Sequence, residues 1–188
     1  MDNRQLIFDV ALQLFADRGY DAVGVQEIAE TAGLTKPTLY HYYGSKLGLL
    51  EFILRENFSE FNPLVAAACE YQHDLPGTLL RLAQVYFDYA QQHSQFYRLH
   101  LALWFSPPQS EAALAAMPWN KERHSAIERL FIRATKDHGN MAGRQHAYAT
   151  TLVGTLNTYI GMALNGYVQL NPELARQAVR QFQYGIYS

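Results

Sequence analysis

Hydrophobic positions recur along this chain with the three-to-four-residue spacing of helix faces. The first apolar face comprises Leu6, Ile7, Val10, Ala11, Leu14 and Phe15, and Gly19 ends it. A second, shorter face follows Gly24, a weak N-cap, and ends at Gly33. No stretch alternates with the period of two that a half-buried strand requires, so the pattern predicts an all-α fold.

Two further helices are predicted directly after these faces. The third helix begins at Thr35, a favourable N-cap, and places Pro37 in its first turn, where the missing N–H costs nothing. Gly44 ends this helix. Ser45 then caps a longer fourth helix, whose apolar seam extends to Val65.

The rest of the chain predicts longer helices separated by turn signals. We expect them at about 76–92, 94–105 and 109–117, then onward to about 137, and finally at about 143–170 and 172–187. Pro118 is expected to interrupt the helical pattern. The change from short to long helices predicts a domain over 1–46 and a larger helical domain over 47–188.

Composition and charge exclude several classes of protein. Hydrophobic residues make up 49% and charged residues 17%, which argues against disorder, and a net charge of −2 provides no global basic field. The single cysteine, Cys69, excludes a disulfide framework and a Cys-type zinc site and favours a reducing cytoplasm. The polar N-terminus predicts no signal peptide. Residues 145–172 lack charges, but threonines, asparagines and glycines interrupt them, so no membrane helix is predicted.

The segment 25–43 has the sequence form of a helix-turn-helix. Gly33 allows the turn, Leu34 fills the angle between the helices, and Leu39 and Tyr43 face inward. The outward set is Lys36, Thr38, His41 and Tyr42, whose donors and methyl group suit base edges and phosphates in a major groove. Lys46, at the start of the fourth helix, is placed to bind a phosphate together with free backbone N–H groups. The alternative interpretation is a solvated helix face.

The stretch "GYDAVGVQEIAETAGLTKPTLYHYYGSKLGLL" (19–50) resembles the DNA-binding domain of TetR-type transcriptional regulators. The matching elements are Gly19-Tyr20, Ile28-Ala29, Ala32-Gly33, Thr38-Leu39-Tyr40, Tyr43 and Ser45-Lys46. The resemblance implies that helix three contacts DNA, that Lys46 binds phosphate and that Gln26 touches backbone or base. The candidate DNA-binding residues are Gln26, Thr35, Lys36, Pro37, Thr38, Tyr40, His41, Tyr42 and Lys46.

This chain departs from the family pattern in ways that affect DNA affinity. The family usually has Thr or Ser where Gly24 stands, often Arg at Gln26, and commonly Glu at Leu47. Residues 1–50 hold four basic side chains (Arg4, Arg18, Lys36, Lys46) and six acidic ones (Asp2, Asp9, Asp17, Asp21, Glu27, Glu30). We therefore expect few ionic contacts and more neutral donors.

The predicted helix over 143–170 is apolar on more than one side and has Gly154 and Gly161 on one face. The next helix adds Leu174, Ala178, Phe182 and Ile186. One interpretation is the central helix of a monomeric bundle. The other, which the resemblance also implies, is a homodimer formed through a four-helix interface, suited to a near-palindromic operator on double-stranded DNA.

The middle of the chain is rich in aromatic residues, and the resemblance implies a small-molecule effector pocket there. The candidate lining residues are Tyr86, His100, Trp104 and Tyr159. Ordinary core packing is the competing explanation for each of them.

Catalytic, cofactor and metal motifs are weak. Glu70 and His73 form one E-x-x-H, whereas a di-iron bundle requires two with further glutamates, so no metal, no cofactor and no enzymatic activity are predicted. The sequence thus predicts a ligand-responsive DNA-binding regulator, a repressor that a small molecule of undefined identity releases from its operator. The alternative is a helical small-molecule-binding or catalytic protein that no longer binds DNA, which Gly24 and the acidic N-terminal residues support.

Overall fold

A computed structural model describes residues 2–185. Helices in this range are α1 (Asn3–Arg18), α2 (Val25–Thr31), α3 (Lys36–Tyr43), α4 (Lys46–Ala68), α5 (Leu75–Gln92), α6 (Ser94–Trp104), α7 (Glu111–Ala134), α8 (Gln145–Leu164) and α9 (Pro172–Tyr184), with a 3₁₀ turn at Gly139–Met141. These residues contain no strand, which confirms the predicted all-α fold. No helix within this range combines the length and the apolar character that crossing a bilayer requires.

The chain divides into two compact units that alternate along the sequence. The first comprises Met1–Ser59 and Gln95–Pro118, and the second comprises Glu60–Ser94 and Trp119–Ser188. Helices α4 and α7 each contribute residues to both units. The predicted division into domains 1–46 and 47–188 therefore remains a prediction.

In the first unit, α1, α2 and α3 pack against one another. The predicted α1 face is confirmed only in part, because Ile7, Ala11 and Phe15 are buried whereas Leu6, Val10 and Leu14 are half-buried. The large side chains that are fully buried in this unit include Ile7, Phe15, Ile28 and Leu39. Each such side chain contributes roughly 1.5–3 kcal/mol through burial. The Tyr43 hydroxyl donates to the Arg4 carbonyl at 2.7 Å, which fastens the end of α3 to α1.

In the second unit, α5 packs against α8 and α9. The Phe61 ring stacks on Tyr89 with centroids 4.3 Å apart and meets Tyr86 edge-on at 5.1 Å. Of the apolar α9 residues named from the sequence, Ala178 is fully buried, and Leu174 and Phe182 are half-buried. The Phe182 ring lies 6.0 Å from that of Phe131. Ile186, named in the same set, lies outside the described residues.

The predicted interruption at Pro118 is wrong, because α7 continues through it. A proline in a helix interior removes one N–H, which leaves the carbonyl four residues earlier, that of Leu114, without its helical donor. Both residues are exposed, so water can satisfy that carbonyl. The compact units nevertheless divide at this position, between Pro118 and Trp119.

Helix α8 ends earlier than predicted. Gly166 adopts a left-handed conformation with φ of 79°. The Tyr167 N–H then donates to the Met162 carbonyl at 3.0 Å, closing the C-terminal turn. Gly166 was not recognised as the end of the helix because the sequence remains uncharged and partly apolar up to residue 172.

Candidate nucleic-acid interface

The turn between α2 and α3 is fixed by backbone geometry. Gly33 has φ of 65°, a left-handed value that favours glycine. The Leu34 N–H donates to the Ala29 carbonyl at 2.8 Å. Leu39 and Tyr43 are buried, as predicted, and anchor one face of α3. The opposite face of α3 is therefore held outward.

That outer face carries the polar and aromatic side chains that the sequence singled out. Lys36, Pro37, Tyr40, His41 and Tyr42 are exposed. Thr38 is half-buried, and its hydroxyl lies 2.9 Å from that of Thr35. Thr35 occupies the N-cap position, but its side chain makes no cap hydrogen bond, contrary to the role predicted for it.

The charges in this region are largely paired. Arg18 forms an ion pair with Glu27, and the Arg4 guanidinium lies 4.5 Å from the centroid of the Phe52 ring. The Gln26 amide donates to Glu30, which places a carboxylate beside a candidate DNA contact. Within described residues 2–50, Lys36 is the basic side chain for which no hydrogen bond, ion pair or cation–π contact is observed.

Lys46 has a structural role that the sequence did not indicate. Its ammonium donates to the carbonyls of Tyr20 and Val23 at 2.9 and 3.0 Å and lies 4.1 Å from the centroid of the Tyr20 ring. An ammonium has three donors, so one remains for a phosphate. Lys46 thus holds the α1–α2 loop to the start of α4.

A contact distant in sequence continues from the same tyrosine. The Tyr20 hydroxyl donates to a Glu111 carboxylate oxygen at 2.5 Å within the first unit. Burial, followed by that carboxylate, raises the pKa of Tyr20 above its ordinary value. The contact ties the loop before α2 to the first turn of α7, and its 91-residue separation leaves no local sequence signal.

The first turn of α4 passes very close to the end of α3. The Ser45 hydroxyl accepts from the Gly48 N–H at 2.8 Å, which confirms Ser45 as the cap. A Cβ on Gly48 would lie 2.2 Å from the Tyr43 carbonyl oxygen. Glycine at this position therefore allows the backbone of α4 to approach α3.

The four candidate effector residues have different environments. The Trp104 ring lies 6.3 Å from that of buried His100, and Trp104 itself is 46% exposed. Tyr86 is buried in the second unit, where burial raises its pKa to about 12 against the opposing influence of Arg123. Tyr159 is half-buried on α8. The structure thus brings His100 and Trp104 together.

The N-terminal helices match a known family of proteins. Residues 7–53 match the family described as "Bacterial regulatory proteins, tetR family", a span that contains every candidate DNA-binding residue. Residues 7–53 therefore form a TetR-type DNA-binding domain, which supports a TetR-type transcriptional regulator. Its family consists of non-enzymatic DNA-binding proteins, which accords with the expectation that the chain is not an enzyme.

The chain also resembles known proteins along most of its length. It is 28% identical to the HTH-type transcriptional activator FasR of Mycolicibacterium smegmatis over 185 residues, covering 98% of this chain and 82% of FasR. The fatty acid degradation regulator FadR of Bacillus halodurans matches with TM-score 0.79 and 19% identity, over 100% of this chain and 97% of that one. FadR of Bacillus subtilis, solved in complex with stearoyl-CoA, matches with TM-score 0.79 and 17% identity, over 97% and 99%.

Proposed function

We propose that this regulator binds a near-palindromic operator as a homodimer and is released by a small molecule with a large apolar part. Residues 1–46 bind DNA, and 47–188 provide the effector site and the dimer interface. The observation that carries the proposal is the exposed outer face of α3 on a helix-turn-helix within the family-matched span. A cytoplasmic location, consistent with the single buried Cys69, belongs to the same proposal.

The side chains of α3 divide the recognition between them. Lys36 is a charged donor with no partner among the described residues, so it is assigned to a base edge, while Tyr40, His41 and Tyr42 supply hydroxyl and imidazole groups. The remaining N–H of Lys46 is assigned to a phosphate. Because Arg18 is paired with Glu27, the phosphate contacts depend on a small number of cations.

The outer face of α8 supports the dimer. Thr151, Gly154 and Thr158 are exposed along one side of a helix that contains no Asp, Glu, Lys or Arg. A Cβ on Gly154 would meet no atom within 4 Å. Small uncharged residues allow a second helix to approach closely, and a two-fold dimer would present two α3 helices to half-sites about 34 Å apart or a multiple of that distance.

The effector is proposed to be an amphipathic molecule with a long apolar chain. The aromatic side chains Phe61 and Tyr86 lie near Arg123, which is only 3% exposed and donates to Asn62 and Asn120 at 3.1 and 2.8 Å. A guanidinium held among apolar rings suits an anionic head group. Long-chain acyl-CoA is the first compound to test, because stearoyl-CoA is bound in the structurally similar B. subtilis FadR.

Repression is the proposed direction of control, since a dimer on an operator can block polymerase. Activation is the second candidate, because FasR, which aligns with 98% of this chain, is an activator. A promoter–reporter measured with and without the regulator distinguishes the two by the sign of the change.

The direct test is a gel shift with genomic fragments at stated salt, because ionic strength strongly affects such affinities. Selective retention of fragments carrying an inverted repeat supports the proposal. If no fragment is preferred over bulk DNA across a range of low salt, the chain is instead a helical ligand-binding protein that has lost DNA binding.

Lys36→Ala is expected to relax the preference for one base pair in each half-site. Loss of a bidentate base contact costs about 1–3 kcal/mol of discrimination against the wrong base pair. In a two-fold dimer the contact is lost in both half-sites. Binding to matched and mismatched operators should be measured by fluorescence anisotropy, with exposed Lys136→Ala as the charge-matched control. Equal weakening of both operators would reassign Lys36 to a phosphate.

Trp104→Ala is expected to weaken effector binding while leaving operator affinity within about threefold, because truncating a partly exposed side chain outside α1–α3 usually changes stability by no more than about 0.5 kcal/mol. Since Trp104 is 46% exposed, truncation should preserve the fold, and the 83%-exposed neighbour Phe105→Ala is the control. Operator release is titrated with stearoyl-CoA. If the effector weakens operator binding a hundredfold, the coupling free energy between effector binding and operator binding is about 2.7 kcal/mol. Parallel loss of both activities would make Trp104 a structural residue.

A further inference from the structure

Three metal-ligating side chains converge where α7 and α8 meet in the second unit. His124 and Glu128 lie one turn apart on α7, and His146 is in the first turn of α8. Their candidate ligand atoms all lie within 4.8 Å of one another. The His124 and His146 ring centroids are 5.1 Å apart, and His146 Nδ1 is 3.8 Å from a Glu128 carboxylate oxygen.

His124 has a polar atom that lacks a partner. Its Nε2 is buried and makes no hydrogen bond to any of the residues described, 2–185. A buried polar atom without a partner is destabilising unless something supplies the missing interaction. Neutral imidazole is the form of histidine that ligates metals.

The donor set defines the class of ion. Two imidazole nitrogens and one carboxylate oxygen are the ligands of open zinc sites, with bonds of about 2.0–2.2 Å and a fourth position for water. Such bonds require ligand atoms roughly 3.4 Å apart in tetrahedral geometry, so the cluster must contract. The contraction is assigned to His146, whose side chain is 74% exposed and therefore little confined by packing.

We propose that His124, Glu128 and His146 bind one divalent transition-metal ion of the zinc class, joining α7 to α8. The site shares no residue with the proposed DNA and effector sites, although His124 directly follows Arg123 on α7. The sequence did not indicate it, because His124 and Glu128 form an isolated pair and the third ligand comes from the following helix.

The test uses full-length, untagged protein treated with EDTA and then dialysed. Titration with Zn²⁺ by calorimetry should give one site per chain, and Co²⁺ should give the visible absorption of a tetrahedral complex. His146→Gln should weaken Zn²⁺ binding by more than the roughly tenfold to hundredfold cost of losing an outer-shell partner. Glu128→Gln should also weaken it.

His73→Gln is the matched control, because His73 is 82% exposed and also lies beside a carboxylate, that of Asp137. It should bind Zn²⁺ like the wild type. Zn²⁺ should raise the melting temperature of the wild type and of His73→Gln but not of His146→Gln. The proposal fails if the wild type binds no Zn²⁺ at micromolar concentration, or if both histidine variants lose binding equally, which would indicate nonspecific surface binding.

Discussion

Gly154→Phe is expected to convert the dimer to monomers and abolish tight operator binding. Overpacking typically costs about 1–3 kcal/mol, and a two-fold interface suffers the change twice. The dimer Kd should therefore rise by between one and four orders of magnitude. A monomer also loses the second half-site, whose contribution through effective concentration is commonly a factor of about 10²–10⁴.

Sedimentation velocity and gel shifts on one-half-site and two-half-site DNA measure these effects together. Within the chain, Gly154 is exposed and surrounded by open space, so the phenylalanine should leave the fold of each subunit intact by circular dichroism. Gly139→Phe is the control, because that glycine is equally open but lies in the 3₁₀ turn. An unchanged Gly154→Phe dimer would place the interface elsewhere.

Gly48→Ala is expected to destabilise the first unit and weaken DNA binding at the same time. Glycine in a helix interior is normally worse than alanine by up to about 1 kcal/mol, which would favour the substitution. Here the new Cβ would lie 2.2 Å from a backbone oxygen, that of Tyr43, which cannot rotate away. The clash should prevail, with a net loss of about 1–3 kcal/mol.

Chemical denaturation gives the stability change, and anisotropy gives the operator affinity. Because relief of the clash displaces the end of α3, affinity should fall more than the unfolded fraction alone explains. Gly139→Ala, in open space, should stay within about 0.5 kcal/mol of the wild type. If the midpoint denaturant concentration of Gly48→Ala equals that of the wild type, the α3–α4 turn can accommodate the extra methyl group without loss of stability.

The helix-turn-helix was predictable because its signals are local. The turn requires a left-handed backbone at residue 33, which glycine permits. Ser45 caps the helix that follows it. The spacing of Leu39 and Tyr43 fixes which face of α3 is buried. Each of these depends on residues a few positions apart, where propensity and periodicity act. The outward face of α3 follows directly from them.

The remaining features depend on tertiary contacts that no local pattern encodes. Pro118 was predicted to break a helix, but exposure to water makes its lost hydrogen bond tolerable. Lys46 was assigned to phosphate alone, whereas two backbone carbonyls share its ammonium. Tyr20 and Glu111 approach across a long separation in sequence. The sequence shows which chemical groups a residue offers, but only the folded structure shows which other residues those groups contact.

The internal pairing of cations near α3 has a consequence for how the operator is located. Phosphate contacts release counterions, and that release supplies most sequence-independent affinity. With Arg18 engaged by Glu27 and Lys46 by carbonyls, the protein should dwell only briefly on random DNA. Sliding along the duplex would then be short, so the regulator would locate its target mainly through repeated three-dimensional encounters. Association rates should consequently change little with the length of flanking DNA.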